Sequence, residues 1–215
     1  MKIKKLEKLQ DLIDKDLAWR KKELIDLKLM IHSSNNPTLC RAGIALLSAH
    51  FEGFIKQVAN YYVVHVSSQG IKTSELNTNF AAIQFGQYFE RCGDSEKISV
   101  CREAIDKFII NYATYNFHID YTPDNPIIKT ESNPSSTVVK NIVDGIGLDF
   151  SPYETKRNFI DTDLLSNRHK IVHGEKTQIS VGDFDSTFTN ITEIMELFAD
   201  QVIDAAINTS YKKPT

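Results

Sequence analysis

The stretch from Ser166 to Glu175, with the sequence SNRHKIVHGE, holds the densest cluster of functional side chains in the chain. His169 and His173 are four residues apart, so they share one face of a helix. Arg168 and His173 are five residues apart, which separates them by about 140° around an ideal helix. Three interpretations are consistent with this spacing.

The first interpretation is a metal site that uses both histidines as ligands, as in the H-E-x-x-H pattern of zinc enzymes. In this chain the residue after the first histidine is Lys170, so the general-base glutamate of that pattern is missing. A zinc site also needs at least three protein ligands, and the sequence specifies no third one.

The second interpretation is structural. Basic side chains stabilise the negative end of a helix dipole, and a glycine such as Gly174 commonly follows the last turn. This explains the composition of the turn. It does not explain why a polar cluster interrupts a segment of good core residues, namely Leu164, Leu165, Ile171 and Val172.

The third interpretation is that Arg168 and His173 form half of a ribonuclease site that needs no metal. RNA cleavage requires a base for the 2′-hydroxyl proton, an acid for the leaving 5′-oxygen and a cation beside the phosphorane. Histidine exchanges protons near neutral pH, and the planar guanidinium of arginine matches phosphate oxygens. A two-fold symmetric dimer that pairs these helices would supply two copies of each residue.

Long helices are predicted in the first third of the chain. Apolar residues at three-and-four spacing predict one amphipathic helix from Leu6, whose apolar stripe is interrupted at Arg20. A second helix is predicted over 38–68, with Pro37 placed to open it. Its large apolar stripe and its ridge of small residues indicate a central position in a bundle.

Shorter helices are predicted over 76–88 and 95–112, and from a cap at 135–137 to a glycine stop at 145–147. The stretch 118–136 holds three of the six prolines and is predicted to be a long loop. Asp161 to Asp163 are expected to begin the helix that carries the polar cluster, and Asp183 to cap the last helix. Strand signals are nearly absent, so we expect an all-α domain over 1–210 and a flexible tail over 211–215.

The composition is that of a globular protein, with 41% apolar residues and 25% charged ones. A net charge of −3 argues against a surface that coats nucleic acid broadly, although a local basic site needs only a few cations. No apolar run approaches the roughly 20 residues of a membrane span, and the N-terminus lacks the apolar core of a signal peptide. Three cysteines without a CxxC pair are expected to be reduced, as in a cytoplasmic protein.

Two sequence motifs together resemble a known family. Arg168-x4-His173, preceded by Asn167 and followed by Gly174, resembles the R-x4-6-H signature of the HEPN superfamily. The form NRHKIVHGE is similar to the RN-x-I-A-H-G variant of the RiboL-PSP and MAE-type groups, which are HEPN-like nucleases associated with toxin–antitoxin and phage-defence loci. Residues 41–56, RAGIALLSAHFEGFIK, resemble the second recurrent helix of that branch, LL-x-A-x-x-E-G-x-x-K.

This resemblance implies an all-α, HEPN-like bundle of long antiparallel helices that dimerises through its motif helices. Such a dimer would cleave RNA without a metal, leaving a 2′,3′-cyclic phosphate and a 5′-hydroxyl. His173 would be the general acid and base, and Arg168 would contact the phosphate and stabilise the transition state. His169 stands where the family commonly has Asn or another polar residue, and would bind phosphate or share in proton transfer.

The resemblance also implies supporting residues. Glu52 and Lys56 match the second motif and would orient Arg168 or contact RNA; the alternative is an ion pair between the two on the surface. Asn167 and Lys170 complete the predicted supporting or RNA-binding set.

We therefore expect a cytoplasmic endoribonuclease that acts as a toxin or phage-defence effector. Its expected partners are the RNA substrate, a second copy of the chain, and a cognate antitoxin or defence-system protein. The alternative hypothesis is a non-catalytic HEPN-like module that dimerises or binds nucleotide or RNA. Neither hypothesis involves a cofactor or a membrane.

Overall fold

The computed structural model describes residues 1–130 and 134–214, and its regular elements are helices. The α-helices of these residues are α1 (Leu6–Ser34), α2 (Pro37–Ser67), α3 (Thr78–Gly93), α4 (Ile98–Thr114), α5 (Ser136–Gly145), α6 (Asn167–Val172) and α7 (Val181–Ile207). Short 3-10 helices lie at Thr73–Glu75 and Ser151–Lys156, and a π-helix, Phe159–Ser166, runs directly into α6. The described residues form no β-strand, and the prediction of an all-α bundle is confirmed. None of their helices has the length and apolarity to cross a membrane.

The core lies between the three long helices α1, α2 and α7, which pack against one another. Only two residues, Asn35 and Asn36, connect α1 to α2, so these two helices must run antiparallel. Helix α2 buries residues on more than one face, which confirms its predicted central position. Large buried side chains of this core include Phe51, Phe54, Phe184 and Phe198.

A close approach between α2 and α7 occurs near the beginning of both helices. A Cβ atom placed on Gly43 would lie 2.6 Å from a ring carbon of Phe184. Phe184 is fully buried, so its ring has no open space to move into. The glycine therefore sets the distance between the two helices at this end of the bundle.

The polar interruption of α1 at Arg20 is buried in the structure. The Nε atom of Arg20 lies 2.8 Å from a carboxylate oxygen of Asp16, and Nη1 donates to the carbonyl of His50 on α2. A Cβ on Gly53 would lie 2.8 Å from Nη1, so the glycine of the second motif leaves room for this guanidinium. Arg20 thus links α1 to α2 instead of weakening the helix.

Two predicted helix starts were wrong. The motif segment becomes helical at Phe159, before Asp161, and Asp161 instead accepts hydrogen bonds from the backbone N–H and the hydroxyl of Ser136 in α5. Helix α7 is capped by Ser180, and Asp183 is the third residue of a reciprocal capping box. Asp161 therefore bonds to the first residue of another helix, α5, whereas Asp183 bonds to the residue that caps its own helix, α7.

The predicted flexible tail is bound to the rest of the protein at residues 211–213. Tyr211 is buried, and the backbone N–H of Lys213 donates to the carbonyl of Glu75 at 3.0 Å. The Lys213 ammonium group also lies 2.6 Å from the hydroxyl of Tyr112. The periodicity of the sequence cannot detect such contacts, because they join positions far apart in the chain.

The expectation of three reduced cysteines was wrong for two of them. Cys92, near the end of α3, and Cys101, in the first turn of α4, form a disulfide. Cys40 is a free, buried thiol. The predicted long loop is confirmed for its described part, since residues 115–130 contain no helix, while 131–133 lie outside the described residues.

Candidate functional site

The helix that carries the polar cluster ends in a way that exposes its last residues. His173 has non-helical backbone angles, and Gly174 has a φ of +78°, a left-handed conformation that favours glycine. The N–H of Glu175 donates to the carbonyl of Lys170 at 2.9 Å, and that of Gly174 to the carbonyl of Ile171 at 3.1 Å. These two bonds form a Schellman motif, so His173 lies at the end of α6 and not within it.

His169 and His173 lie side by side on the exposed surface. Their ring centroids are 4.2 Å apart, with an angle of 52° between the ring planes. The four-residue spacing predicts this arrangement. Neither ring forms a hydrogen bond or an ion pair with another described residue, so both are accessible to a substrate.

The neighbouring cations have no acidic partner within the described part of the chain. Arg168 is half-buried and Lys170 is exposed, and no described carboxylate lies within ion-pair distance of either. Asn167 is used locally, because its amide donates to the carbonyl of Asp163 at 2.8 Å. The α6 segment therefore presents positive charge that no described carboxylate pairs, which suits an anionic ligand.

Glu52 has a partner that the sequence did not indicate. Its carboxylate accepts a hydrogen bond of 2.6 Å from the hydroxyl of Thr130, a buried residue of the loop before α5. No ion pair joins Glu52 to Lys56 or to Arg168 among the described residues, and Lys56 is half-buried on α2. Glu52 therefore holds the loop against α2, and its predicted part in orienting Arg168 has no supporting contact.

Arg41 connects the second motif to the first. Helix α6 packs on α2, and Nη2 of Arg41, in the second turn of α2, donates to the carbonyl of Glu175 at 3.1 Å. The Nε atom of Arg41 is buried and has no hydrogen-bond partner in the described structure. Its position four residues into α2, close to Pro37, gave no signal of this contact in the sequence.

Two buried titratable residues of α2 are unsuited to catalysis. Burial raises the pKa of the Cys40 thiol, so this cysteine is protonated at neutral pH. Burial, together with the nearby Arg20 guanidinium, lowers the pKa of His50. The Nε2 atom of His50 lies 2.8 Å from a carboxylate oxygen of Glu23, whose negative charge partly offsets this lowering of the pKa. His50 is thus a neutral residue inside the packing of α1 on α2.

The residues of 1–130 and 134–214 contain no group of three His, Cys, Asp or Glu side chains arranged to hold a metal ion. His169 and His173 thus have no third ligand among them.

Comparison with known families agrees with the fold and the motifs. The family model RiboL-PSP-HEPN matches residues 15–204, which include both motifs, α2 to α6, and most of α1 and α7. The chain belongs to the RiboL-PSP-HEPN family. No curated protein and no solved structure is significantly similar to it. Membership of this family suggests a HEPN-type nuclease-like or RNA-related function.

Proposed function

We propose that the chain is a metal-independent endoribonuclease of HEPN type. The observation that carries the proposal is the group formed by half-buried Arg168 and exposed His169, Lys170 and His173 on α6 and its C-terminal turn, which has no carboxylate partner among the described residues. In a member of the RiboL-PSP-HEPN family, such a group suits a phosphodiester substrate.

In the proposed reaction, a neutral imidazole removes the proton from the 2′-hydroxyl, and the resulting oxygen attacks the adjacent phosphorus. Arg168 stabilises the negative charge that develops on the phosphorane. A protonated imidazole then gives its proton to the 5′-oxygen as the bond from phosphorus to that oxygen breaks. The products are a 2′,3′-cyclic phosphate and a 5′-hydroxyl, and His173 is the proposed general acid and base.

Two copies of the chain complete the proposed site. The attacking and leaving oxygens lie on opposite sides of phosphorus, so the base and the acid must also act from opposite sides. His169 and His173 of one chain lie together, with their ring centroids 4.2 Å apart, and therefore approach from one side. A homodimer that pairs the two α6 ends would place a second His173 on the other side.

The proposed biological role is that of a toxin or phage-defence effector in the cytoplasm, restrained by a cognate antitoxin or defence-system partner. The association of similar HEPN-like nucleases with such loci supports this role. Induced expression of the wild-type chain should stop bacterial growth, whereas expression of His173→Ala to the same level should not. Equal growth arrest by both proteins would contradict the role.

Incubation of the purified protein with RNA in EDTA tests the reaction. We expect cleavage by the wild-type chain, with 2′,3′-cyclic phosphate ends, and none by Arg168→Ala or His173→Ala. Lys107→Ala, an exposed substitution on α4, is the control and should cleave normally. Undiminished cleavage by both site variants would contradict the proposal.

The second candidate is a non-catalytic module that dimerises or binds nucleotide or RNA. The net charge of −3 favours it, because a chain of negative net charge has only a few local cations with which to hold an RNA strand for cleavage. The site variants would in that case change sedimentation or RNA binding, while no variant and no condition would give cleavage.

A further inference from the structure

A cleft of about 510 Å³ lies beside the motif, where the chain passes from α6 to α7. One wall is the beginning of α2, with Pro37 and Arg41, and the other is formed by residues 176–180. Neither motif of the family includes the second wall. The cleft is open to solvent, so a chain-like ligand can enter it.

The charged groups of this cleft are positive. Arg41 and Lys176 line it, and none of its lining residues is acidic. Glu175, whose side chain is exposed, directly precedes Lys176 in the chain. One terminal nitrogen of Arg41 is engaged by the carbonyl of Glu175, but the buried Nε has no partner in the described structure. Lys176 is exposed and forms no ion pair with a described residue. The nearest carboxylate along the chain on the α7 side, Asp183, is bound to the hydroxyl and N–H of Ser180.

The uncharged groups of the cleft suit the other parts of a nucleotide. Pro37, which is exposed, provides an apolar surface on which a ribose or the face of a base can pack. Thr177 and Gln178 offer hydrogen-bond donors and acceptors for a 2′-hydroxyl or the edge of a base.

We propose that this cleft binds the RNA strand next to the scissile phosphate, with the neighbouring phosphate held by Arg41 and Lys176. Arg41 contacts Glu175, and the Cα atoms of His173 and Glu175 are at most about 7 Å apart because only Gly174 lies between them. A strand that passes the end of α6 therefore reaches the cleft. The inference rests on the proposed function for the identity of the ligand as RNA, but it concerns binding and not cleavage.

Equilibrium binding of a fluorescent single-stranded RNA to the full chain tests the inference. His173→Ala serves as the parent so that the RNA stays intact, and affinity is measured by anisotropy at several salt concentrations. Adding Lys176→Gln should weaken binding about two- to five-fold at low salt. It should also reduce the slope of log affinity against log salt by about 0.7, the value for one contact to a single-strand phosphate.

Two further variants make the test specific. Lys107→Gln, an exposed lysine on α4, changes the net charge equally and should leave both affinity and slope unchanged. Arg41→Gln keeps an N–H donor for the Glu175 carbonyl but removes the charge, and should weaken binding at least as much as Lys176→Gln. Because Arg41 has a structural contact, the melting temperature of Arg41→Gln is compared with that of the parent. The Lys176 side chain bonds to no described residue, so Lys176→Gln tests RNA binding without disturbing the fold.

Equal affinities and salt slopes for Lys176→Gln and the parent would overturn the inference. An equal loss of RNA affinity in Lys107→Gln would also overturn it, because binding would then follow the overall charge of the chain. Absence of RNA binding by the parent would overturn it too. Cleavage by the wild-type chain is measured separately. If Lys176→Gln reduces the slope of log affinity against log salt but the wild-type chain cleaves no RNA, the proposed RNA binding in the cleft is supported and only the proposed nuclease activity is contradicted.

Discussion

The imidazole rings of His169 and His173 lie 4.2 Å apart at the exposed end of α6. Their backbones differ: His169 is inside the helix, whereas His173 ends it and precedes a left-handed glycine. Both rings can reach the same ligand. Since the family signature places its histidine at His173, we propose that His173 transfers protons and that His169 binds phosphate.

Substitution by asparagine separates these two roles, because an amide can bind phosphate but cannot exchange protons near neutral pH. His173→Asn should lower the single-turnover cleavage rate by a factor on the order of 10² to 10⁴. His169→Asn introduces a residue common at this position in similar proteins and should lower it by less than about ten-fold. Equal losses in the two variants would show that His169 shares in proton transfer.

Val172 gives a test of the proposed dimer, because this apolar residue next to His173 is 58% exposed. Val172→Glu would place two carboxylates close to the two-fold axis and close to the substrate phosphate. We expect a dimer dissociation constant at least about ten-fold higher, equivalent to about 1.4 kcal/mol, together with loss of cleavage. Sedimentation velocity over a concentration series measures the first effect.

Ile109→Glu is the matched control, since Ile109 is also apolar and is 65% exposed, but lies on α4. It should sediment and cleave like the wild-type chain. If Ile109→Glu dissociates the dimer and Val172→Glu does not, the interface lies on α4 and the composite site is wrong.

The helices were predictable from the sequence because their signals are local. Buried residues such as Leu9, Ile13 and Leu24 recur at helical spacing along α1, and Ser135 caps α5 as predicted. The motif at the end of α6 is also local, since a glycine after His173 is enough to predict where the helix stops.

Contacts between distant positions were not predictable. Glu52 and Thr130 are 78 residues apart, and nothing in either motif indicates that they form a hydrogen bond. In the sequence, Arg20 interrupts the apolar stripe of α1. Its burial could not be predicted, because it depends on Gly53 of another helix, which leaves space for the guanidinium. The contact of Arg41 with Glu175 is of the same kind.

The pH dependence of stability should reveal the buried histidines. His65 is 4% exposed, and its Nδ1 lies 3.1 Å from the carbonyl of Ile3. Burial lowers the pKa of His65 below its ordinary value of 6.5, so the folded chain keeps this ring neutral where the unfolded chain binds a proton. The free energy of unfolding should therefore be fully retained above about pH 6.5 and should fall as the pH drops below it, by at most about 1.4 kcal/mol per pH unit for each such histidine.

Urea unfolding of His65→Gln at pH 7.5, 6.5 and 5.5 measures this effect. The variant should lose less stability than the wild-type chain between pH 6.5 and 5.5, although His50, whose pKa is also lowered, keeps part of the dependence. His118→Gln is the control, because the side chain of His118 is 71% exposed. A wild-type pH dependence in His65→Gln would mean that the ring is protonated without cost in the folded chain.

The approach of α2 to α7 can be tested with two glycines in helices. In Gly43→Ala the new Cβ would lie 2.6 Å from the buried ring of Phe184, and we expect a loss of about 1–3 kcal/mol because neither helix can yield without disturbing the core. In Gly86→Ala the new Cβ meets no atom within 4 Å, and removing a glycine from the interior of α3 should stabilise the chain by about 0.5–1 kcal/mol. Urea unfolding of both variants at neutral pH gives the two free energies. The two changes in the free energy of unfolding should have opposite signs, and a stabilised Gly43→Ala would mean that α2 and α7 are further apart than the structure places them.

Gly43 lies two residues after Arg41, so the destabilised Gly43→Ala variant should also bind RNA more weakly than the wild-type chain. Gly86→Ala should bind RNA normally.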